Sequence, residues 1–336
     1  MPTELNNYLI QEIRKSIAPD QNVAEILSEL LHQSKANIYN KINGNSPFSS
    51  EETITIVRTF NISLDRYALN VPNMFQKVVF DYSFPIHTPT SPTTFLEKIL
   101  TDLEQITLIP QANIAYASNE IPIFHSLVCP HTLAFKLYVW ARSNWELPFY
   151  KDKKFDSESF YREWPAIEEM RKEAAHLYSQ IPSKEYWTRN VIDNILNQIR
   201  YYENNQLFLD DHMPQKLRKE LFSMLEQREK NSGSRTKTDL STNYTSAALD
   251  LYLNEIAYTN NIILIYQGAT PIAFYATMDN PNFMKSTDPV MVQRMHHWLL
   301  QIEARSFNTV QEQSRLNLFR YLKNKIEPAE IELGLY

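Results

Sequence analysis

Apolar residues in the first seventy positions recur at helical spacing, and short polar segments separate the runs. Leu5, Leu9 and Ile13 follow one another at intervals of four residues, which places them on one side of a helix. The same reasoning predicts helices at about 3–17, 23–31 and 35–43, a fourth that opens after Ser49, and a short fifth at 64–69. Residues 1–70 are therefore expected to form a compact bundle of five helices.

Residues with strong capping preferences stand at several of these boundaries. Ser34 is a suitable N-cap for the third helix, and Gly44 lies where a C-cap glycine belongs. Ser49 and Glu52 have the spacing of a capping box. Asn61 precedes an apolar residue and is expected to end the fourth helix in a left-handed conformation. The caps and the apolar spacing thus predict the same boundaries.

The next segment, 71–94, contains four prolines and an apolar run at 78–84, and we interpret it as a linker that includes one strand. Beyond it, helices are predicted at 95–106, 133–143, 165–180, 183–202, 214–230, from about 246, 289–304 and 309–326. The polar segment 231–242 is expected to be a mobile loop. Runs at 262–266 and 272–277 flank Gln267–Thr270 and predict a β-hairpin.

Taken together, these patterns predict a mainly α protein. An N-terminal bundle of five helices, 1–70, is followed by the linker and by a mostly helical α+β domain, 95–336, with a small antiparallel hairpin. At 336 residues the chain is long enough for two or three domains.

Composition excludes several classes of enzyme. Only four glycines are present, so neither a glycine-rich phosphate loop nor a G-x-S-x-G nucleophile elbow can be written. The single cysteine excludes an internal disulfide and a cysteine-rich zinc site. No apolar run approaches the length of a membrane span. We expect a cytoplasmic protein that is not an enzyme and that needs no metal or cofactor.

The segment from Leu27 to Gly44 resembles the helix-turn-helix of the Cro/cI-type repressor superfamily. Leu27, Ser28, Ile38 and Gly44 occupy the positions that this family uses for packing and for closing the second helix. The closing helices, with the sequence Phe60–Asp65, also resemble that family. In place of the usual turn glycine stands His32, a residue type enriched among non-glycine residues at positive φ. Gln33 and Lys41 stand where the family often has aliphatic residues.

This resemblance implies a DNA-binding transcriptional regulator whose third helix lies in the major groove. The candidate DNA-binding residues are Ser34, Lys35, Ala36, Asn37, Tyr39, Asn40, Lys41 and Asn43. Asn37 and Asn40 could read adenine edges, and Lys35 and Lys41 could meet guanine or phosphate. Because such readers act in pairs on two half-sites, double-stranded DNA and a second copy of the chain are the expected partners.

The charge of the bundle leaves an alternative open. Residues 1–70 contain six Lys or Arg and eight Asp or Glu, a net charge of −2, and the whole chain carries −6. Phosphate binding depends on cations. An adaptor protein whose bundle binds another protein is therefore the alternative function.

The C-terminal region offers weaker candidates. Tyr138, Trp140 and Trp145 belong to an aromatic block that could line an effector pocket, although a domain core or a dimer seam would have the same composition. Cys129 with His131, the pair His296–His297 and the segment Asp210–His212 are interpreted as structural. The segments 119–124 and 181–187 resemble parts of the long C-terminal regions of uncharacterised bacterial regulators. This resemblance implies no biochemical activity.

Overall fold

The computed structural model describes residues 2–18, 21–68, 80–82, 91–238, 245–255 and 261–326. The chain forms two compact units, residues 1–79 and 80–336. Most of the predicted linker, 71–94, lies outside the described residues, apart from a short strand, Asp81–Tyr82, and the beginning of a helix at Pro92.

The first unit contains five helices: α1 (Pro2–Ser16), α2 (Val23–Leu30), α3 (Lys35–Ile42), α4 (Ser50–Thr59) and α5 (Leu64–Ala68). They enclose one core, in which Leu9, Ile13, Leu27, Ile38 and Ile56 are fully buried. All five helices were predicted from the apolar spacing, which also placed Leu9 and Ile13 on the inner side of α1.

The predicted caps of this unit are present. The Ser49 hydroxyl accepts a hydrogen bond from the Glu52 amide while the Glu52 carboxylate accepts one from the Ser49 amide, so the capping box is complete. Asn61 has a φ of 51° and Gly44 a φ of 76°, both in the left-handed region. The local signals in this part of the sequence therefore set the helix boundaries.

The second unit is built on a large sheet. Its strands are β1 (Asp81–Tyr82), β2 (Ala112–Ser118), β3 (Ser183–Trp187), β4 (Thr236–Thr238), β5 (Thr245–Asn254), β6 (Ile262–Gln267), β7 (Thr270–Asp279), β8 (Asn282–Ser286) and β9 (Ser306–Asn308). The helices are α6 (Pro92–Thr107), α7 (Ile123–Ser126), α8 (Pro130–Ser143), α9 (Ser157–Glu163), α10 (Ala166–Gln180), α11 (Asp193–Asn204), α12 (Met213–Ser234), α13 (Pro289–Glu303) and α14 (Glu312–Ile326), with a short 3-10 helix at Pro148–Tyr150.

The strand order across the sheet is β1-β8-β7-β6-β2-β3-β5-β4, and β9 also pairs with β5. β2, β3 and β5 run parallel to one another, whereas the other pairings are antiparallel. The second unit is therefore an α/β fold on a mixed sheet. The expectation of a mainly α protein with a small hairpin is wrong, although the hairpin itself, β6–β7, is present where it was predicted.

Several elements account for the error, among them β2 and β8, for which no strand was predicted. The predicted helix 183–202 is the parallel strand β3 followed by α11, and the predicted helix from about 246 is β5. In β5 the buried Leu249, Leu251 and Leu253 alternate with other residues, which is the period of a strand. The predicted loop 231–242 begins with the last turn of α12 and continues as β4, and 239–242 lie outside the described residues.

The two faces of the sheet are covered unequally. Alternate residues of β2 divide between them: Ile114 and Tyr116 join the larger core with α6, α8, α10, α12 and α14, whereas Ala115 and Ala117 face a smaller core that includes α13. The parallel strands at the centre are thus buried on both sides.

A charged carboxylate lies inside the larger core. Glu185, on β3, is completely buried, and its oxygens accept hydrogen bonds from His125 Nε2 at 2.7 Å, from the Tyr178 hydroxyl at 2.5 Å and from Trp187 Nε1 at 2.9 Å. Burial raises the pKa of Glu185, but the hydrogen bonds from His125 and Tyr178 and the positive charge of Lys237 lower it by more, so the net shift is downward. The three donors thus supply the contacts that a buried carboxylate needs.

Two cations accompany this carboxylate. Arg228 Nη1 lies 3.2 Å from His125 Nδ1, so His125 accepts at Nδ1 and donates from Nε2, as a neutral imidazole does. Burial lowers the pKa of His125, in agreement with that state. Lys237, also buried, donates to the carbonyl oxygens of Tyr178 at 2.8 Å and Ile181 at 2.6 Å. We call Glu185, His125, Tyr178, Trp187, Arg228 and Lys237 the buried polar network.

Replacing Glu185 by Gln is expected to lower the free energy of unfolding of the second unit by about 3–5 kcal/mol, because removing one partner of a buried ionic cluster leaves the remaining charges uncompensated. All five tryptophans lie in this unit, so urea unfolding followed by tryptophan fluorescence measures it selectively. Glu169→Gln, at an exposed ion pair on α10, is the control and should unfold like the wild type. Equal urea midpoints for the wild type, Glu185→Gln and Glu169→Gln would show that the buried polar network does not stabilise the second unit.

The Glu185 carboxylate should also make the free energy of unfolding of the second unit depend on pH. The folded-state pKa of Glu185 lies below its ordinary value of 4.5, so between these two values the unfolded state binds more protons than the folded state. Stability is therefore present above the ordinary pKa and is lost as the pH falls through the interval. Urea midpoints between about pH 5 and pH 3 should fall more steeply for the wild type than for Glu185→Gln. Parallel curves would show that this group does not contribute.

Candidate nucleic-acid interface

Helices α2 and α3 form a helix-turn-helix. The turn, 31–34, is short, and His32 adopts a φ of 52°, the left-handed conformation that was predicted for this position. Leu27 on α2 and Ile38 on α3 are both fully buried. The Ser28 hydroxyl donates to the Gln33 carbonyl oxygen at 2.6 Å, which satisfies a backbone group inside the turn. The turn is thus fixed by packing on one side and by a hydrogen bond on the other.

Helix α3 presents most of the candidate DNA-binding residues to solvent. Ser34 caps the helix by accepting a hydrogen bond from the Asn37 amide. One buried position, Ile38, anchors the helix, and the exposed side chains are Ser34, Lys35, Ala36, Asn37, Tyr39, Asn40 and Asn43. Seven of the eight candidates therefore lie where a partner could reach them.

Lys41 is placed differently. Its ammonium group lies 2.5 Å from the Glu52 carboxylate, and both side chains are only 13% exposed. Glu52 also completes the capping box of α4 and accepts a hydrogen bond from Gln33. Burial raises the pKa of Glu52, but the hydrogen bonds from Lys41, Ser49 and Gln33 lower it by more, so the net shift is downward. Lys41 therefore ties α3 to α4, and its charge is already compensated within the bundle.

Asn6 is an important residue that the sequence patterns did not single out. It is buried in α1, and its amide nitrogen donates to the carbonyl oxygens of Lys41 at 2.8 Å and Ser46 at 2.9 Å. Its amide oxygen accepts from the Phe48 backbone at 3.3 Å. The C-terminal end of α3 is thus held by a side chain about 40 residues away in sequence. A polar residue interrupting the apolar side of α1 was the only available signal.

The electrostatics around α3 are not strongly basic. Lys35 forms an exposed ion pair with Glu25 at 2.6 Å, and the hydrogen bond from this carboxylate raises the pKa of Lys35. An exposed pair of this kind contributes little to stability. Tyr39, 46% exposed, is the large apolar side chain of this surface.

The aromatic residues proposed for an effector pocket lie in the core. Tyr138, Trp140 and Trp145 are each at most 8% exposed. Tyr138 packs among other aromatic rings and donates to the Lys153 carbonyl oxygen, and Trp140 contacts Phe95. The structure thus places these residues among packed side chains, which was the alternative interpretation of the aromatic block.

The other titratable candidates have local partners. Burial raises the pKa of the Cys129 thiol to about 12, which disfavours the thiolate that a nucleophile requires. His131 is hydrogen-bonded to the Ser157 hydroxyl at 2.7 Å, and His296 to the Tyr266 hydroxyl at 3.0 Å. In the described part of the chain no cluster of three or more His, Cys, Asp or Glu side chains could hold a metal ion.

Comparisons of the chain with known protein families, with curated proteins and with solved structures find no match. None of the described helices combines the length and the apolar composition that a membrane crossing requires.

Replacing Asn6 by Ala is expected to loosen the end of α3, because the Ser46 carbonyl oxygen and the Phe48 amide lose their side-chain partner, at about 1–3 kcal/mol for each. The Lys41 carbonyl oxygen also loses one of its donors and keeps the Gly44 amide. Hydrogen–deuterium exchange of the full chain should show faster exchange in peptides covering 35–48 and unchanged exchange in the second unit. Asn7→Ala, at an exposed neighbouring position, is the control. Unchanged protection of 35–48 in Asn6→Ala would refute this role.

Proposed function

We propose that this protein is a sequence-specific DNA-binding regulator that reads the major groove with α3. The observation that carries the proposal is the exposed side of this helix, where short polar side chains stand beyond a single buried anchor, Ile38. The major groove of B-DNA is wide enough to admit an α-helix, and short polar side chains on its exposed side can reach the base edges. The resemblance of 27–44 to repressor-type helix-turn-helix proteins supports the same function.

Within this proposal the exposed residues have different roles. Asn37 and Asn40 are the base readers, because a side-chain amide can pair with the N6 and N7 positions of adenine. Ser34 and Lys35 lie at the start of α3, where a hydroxyl and an ammonium group can meet phosphate. Lys41 is assigned to the bundle instead of to DNA, since Glu52 already compensates its charge.

Two copies of the chain would bind together. One helix-turn-helix contacts only a few base pairs, and such readers usually gain affinity by occupying two half-sites about one helical turn apart. Residues 1–70 carry a net charge of −2. Attraction between a single bundle and the DNA phosphates would therefore be too weak to replace the affinity that a second copy adds. We therefore expect a homodimer on a roughly palindromic operator, with the second unit supplying dimerisation and effector binding.

One observation favours an adaptor as the second candidate. The bundle is acidic, Lys35 is paired with Glu25, and the exposed Tyr39 lies at the centre of the α3 surface. An exposed tyrosine among polar residues is typical of protein interfaces. On this alternative the same surface of α3 would bind a protein, and duplex DNA would not bind even at low salt.

Selection of duplexes from a random library by the full-length protein should yield an operator. Asn37→Ala and Asn40→Ala are then each expected to weaken its binding by about 5- to 150-fold, the equivalent of about 1–3 kcal/mol. Asn7→Ala, exposed but on α1, should bind like the wild type. Affinity should also fall with added salt, because phosphate contacts release counterions.

Two outcomes of this experiment would decide against the proposal. If no duplex is enriched and none binds at low salt, the adaptor function replaces it. If an operator is found but both asparagine variants bind it normally, α3 does not read the bases through these two side chains.

A further inference from the structure

A groove on the second unit runs between the start of α8 and one side of α12. Its lining residues are Val128, Cys129, His131, Lys216, Lys219, Glu220, Ser223, Met224, Gln227 and Arg228. Its volume, about 510 Å³, is within the range of small-molecule sites. We call it the α8–α12 groove. It does not include the aromatic residues that the sequence suggested for an effector.

The α8–α12 groove has an excess of positive charge. Lys216, Lys219 and Arg228 line it, and Glu220 is the single carboxylate among the lining residues. That carboxylate is already used, since it accepts hydrogen bonds from the backbone amides of His131 at 3.2 Å and Thr132 at 2.8 Å and from the Thr132 hydroxyl. These donors at the start of α8 compensate the negative charge of Glu220. Lys216 is already paired with Asp210 at 2.9 Å, a residue that does not line the groove. Lys219 and Arg228 are therefore the lining cations with which no described carboxylate forms an ion pair.

Arg228 distinguishes this groove from an ordinary basic patch. It is only 6% exposed although it lines the groove, and in the described structure its one hydrogen bond runs from Nη1 to His125 Nδ1. Its Nε–H is buried and has no partner among the described residues. A guanidinium group carries five N–H donors, so most of the donors of this buried cation are unused. An unsatisfied buried donor is costly, and an acceptor that reached it would be held strongly.

The buried polar network holds the guanidinium group of Arg228 on the side that faces the core. His125, which accepts from Arg228, donates in turn to Glu185, and Glu185 is also held by Tyr178 and Trp187. The guanidinium group is therefore oriented before any ligand arrives, which reduces the conformational entropy that binding would lose.

We propose that the α8–α12 groove binds a small molecule that bears an oxyanion, a carboxylate or a phosphate group. The planar guanidinium group of Arg228 would contact two oxygens at once, and Lys219 would add a second cation at the rim. Val128 and Met224 form an apolar wall along which the remainder of the ligand would lie. This site belongs to the second unit alone and does not depend on DNA binding.

The test uses the full chain with ¹³C-labelled methionine methyl groups. Met224 lines the groove, and Met224→Leu identifies its resonance among the nine methionines. Inorganic phosphate and butyrate are titrated separately to about 10 mM, ten times a millimolar dissociation constant, with sodium chloride holding the ionic strength constant. A saturable shift of the Met224 methyl resonance is expected with at least one probe. Phosphate alone or butyrate alone would identify the preferred oxyanion.

Three variants connect that shift to the groove. Lys219→Gln should weaken binding by about threefold or more, because one charge-assisted contact is lost, whereas Lys230→Gln, on the same helix but outside the groove, should bind like the wild type. Arg228→Gln should abolish the shift, with tryptophan fluorescence reporting whether the second unit remains folded.

Two results would overturn the proposal. The first is the absence of a saturable Met224 shift with either probe. The second is a shift that Lys219→Gln leaves as strong as in the wild type. Because these measurements require no DNA, their failure is distinguishable from a failure of the proposed regulatory function.

Discussion

The arrangement of the second unit depends on the free energy that is lost when the Glu185 carboxylate is removed from water. Glu185 lies on a parallel strand with both faces covered, where an uncompensated charge would be strongly destabilising. The fold meets this requirement by bringing a histidine from α7, a tyrosine from α10 and a tryptophan from the same strand to its two oxygens. These hydrogen bonds hold α7, α10 and β3 in fixed positions relative to one another. The same network orients Arg228, so the core and the α8–α12 groove share one set of contacts.

The first unit relies on a smaller set of polar contacts. Asn6 holds the end of α3, and the Lys41–Glu52 pair joins α3 to α4. These contacts supply partners for backbone carbonyl oxygens and for the Lys41 ammonium group on the inner side of the helix-turn-helix. The outer side of α3 remains exposed. A residue type that is common in DNA recognition, lysine, therefore has a structural role at position 41. Whether a cation is available to a ligand depends on its neighbours as much as on its position on the helix.

The sequence determined the first unit almost completely. Its helices are short, their apolar positions follow the helical period, and residues with strong local preferences, such as Ser34, Gly44 and Ser49, stand at their ends. The left-handed conformations at His32 and Asn61 could also be predicted, because they depend on residue type and immediate neighbours. The same reasoning identified the exposed side of α3, and it could not show that Lys41 is paired, since Glu52 reaches it only through the packing of α4.

Only the tertiary structure decided the second unit. β3 is five residues long and contains a glutamate, so its strand character was hidden from a search for apolar alternation. Parallel strands pair with partners that are distant in sequence, and no local pattern marks the pairing of β2, β3 and β5. The groove around Arg228 arises in the same way, from residues on α8 and α12 that are nearly one hundred positions apart. Local preferences fix helices and turns, whereas burial and long-range pairing are properties of the folded chain.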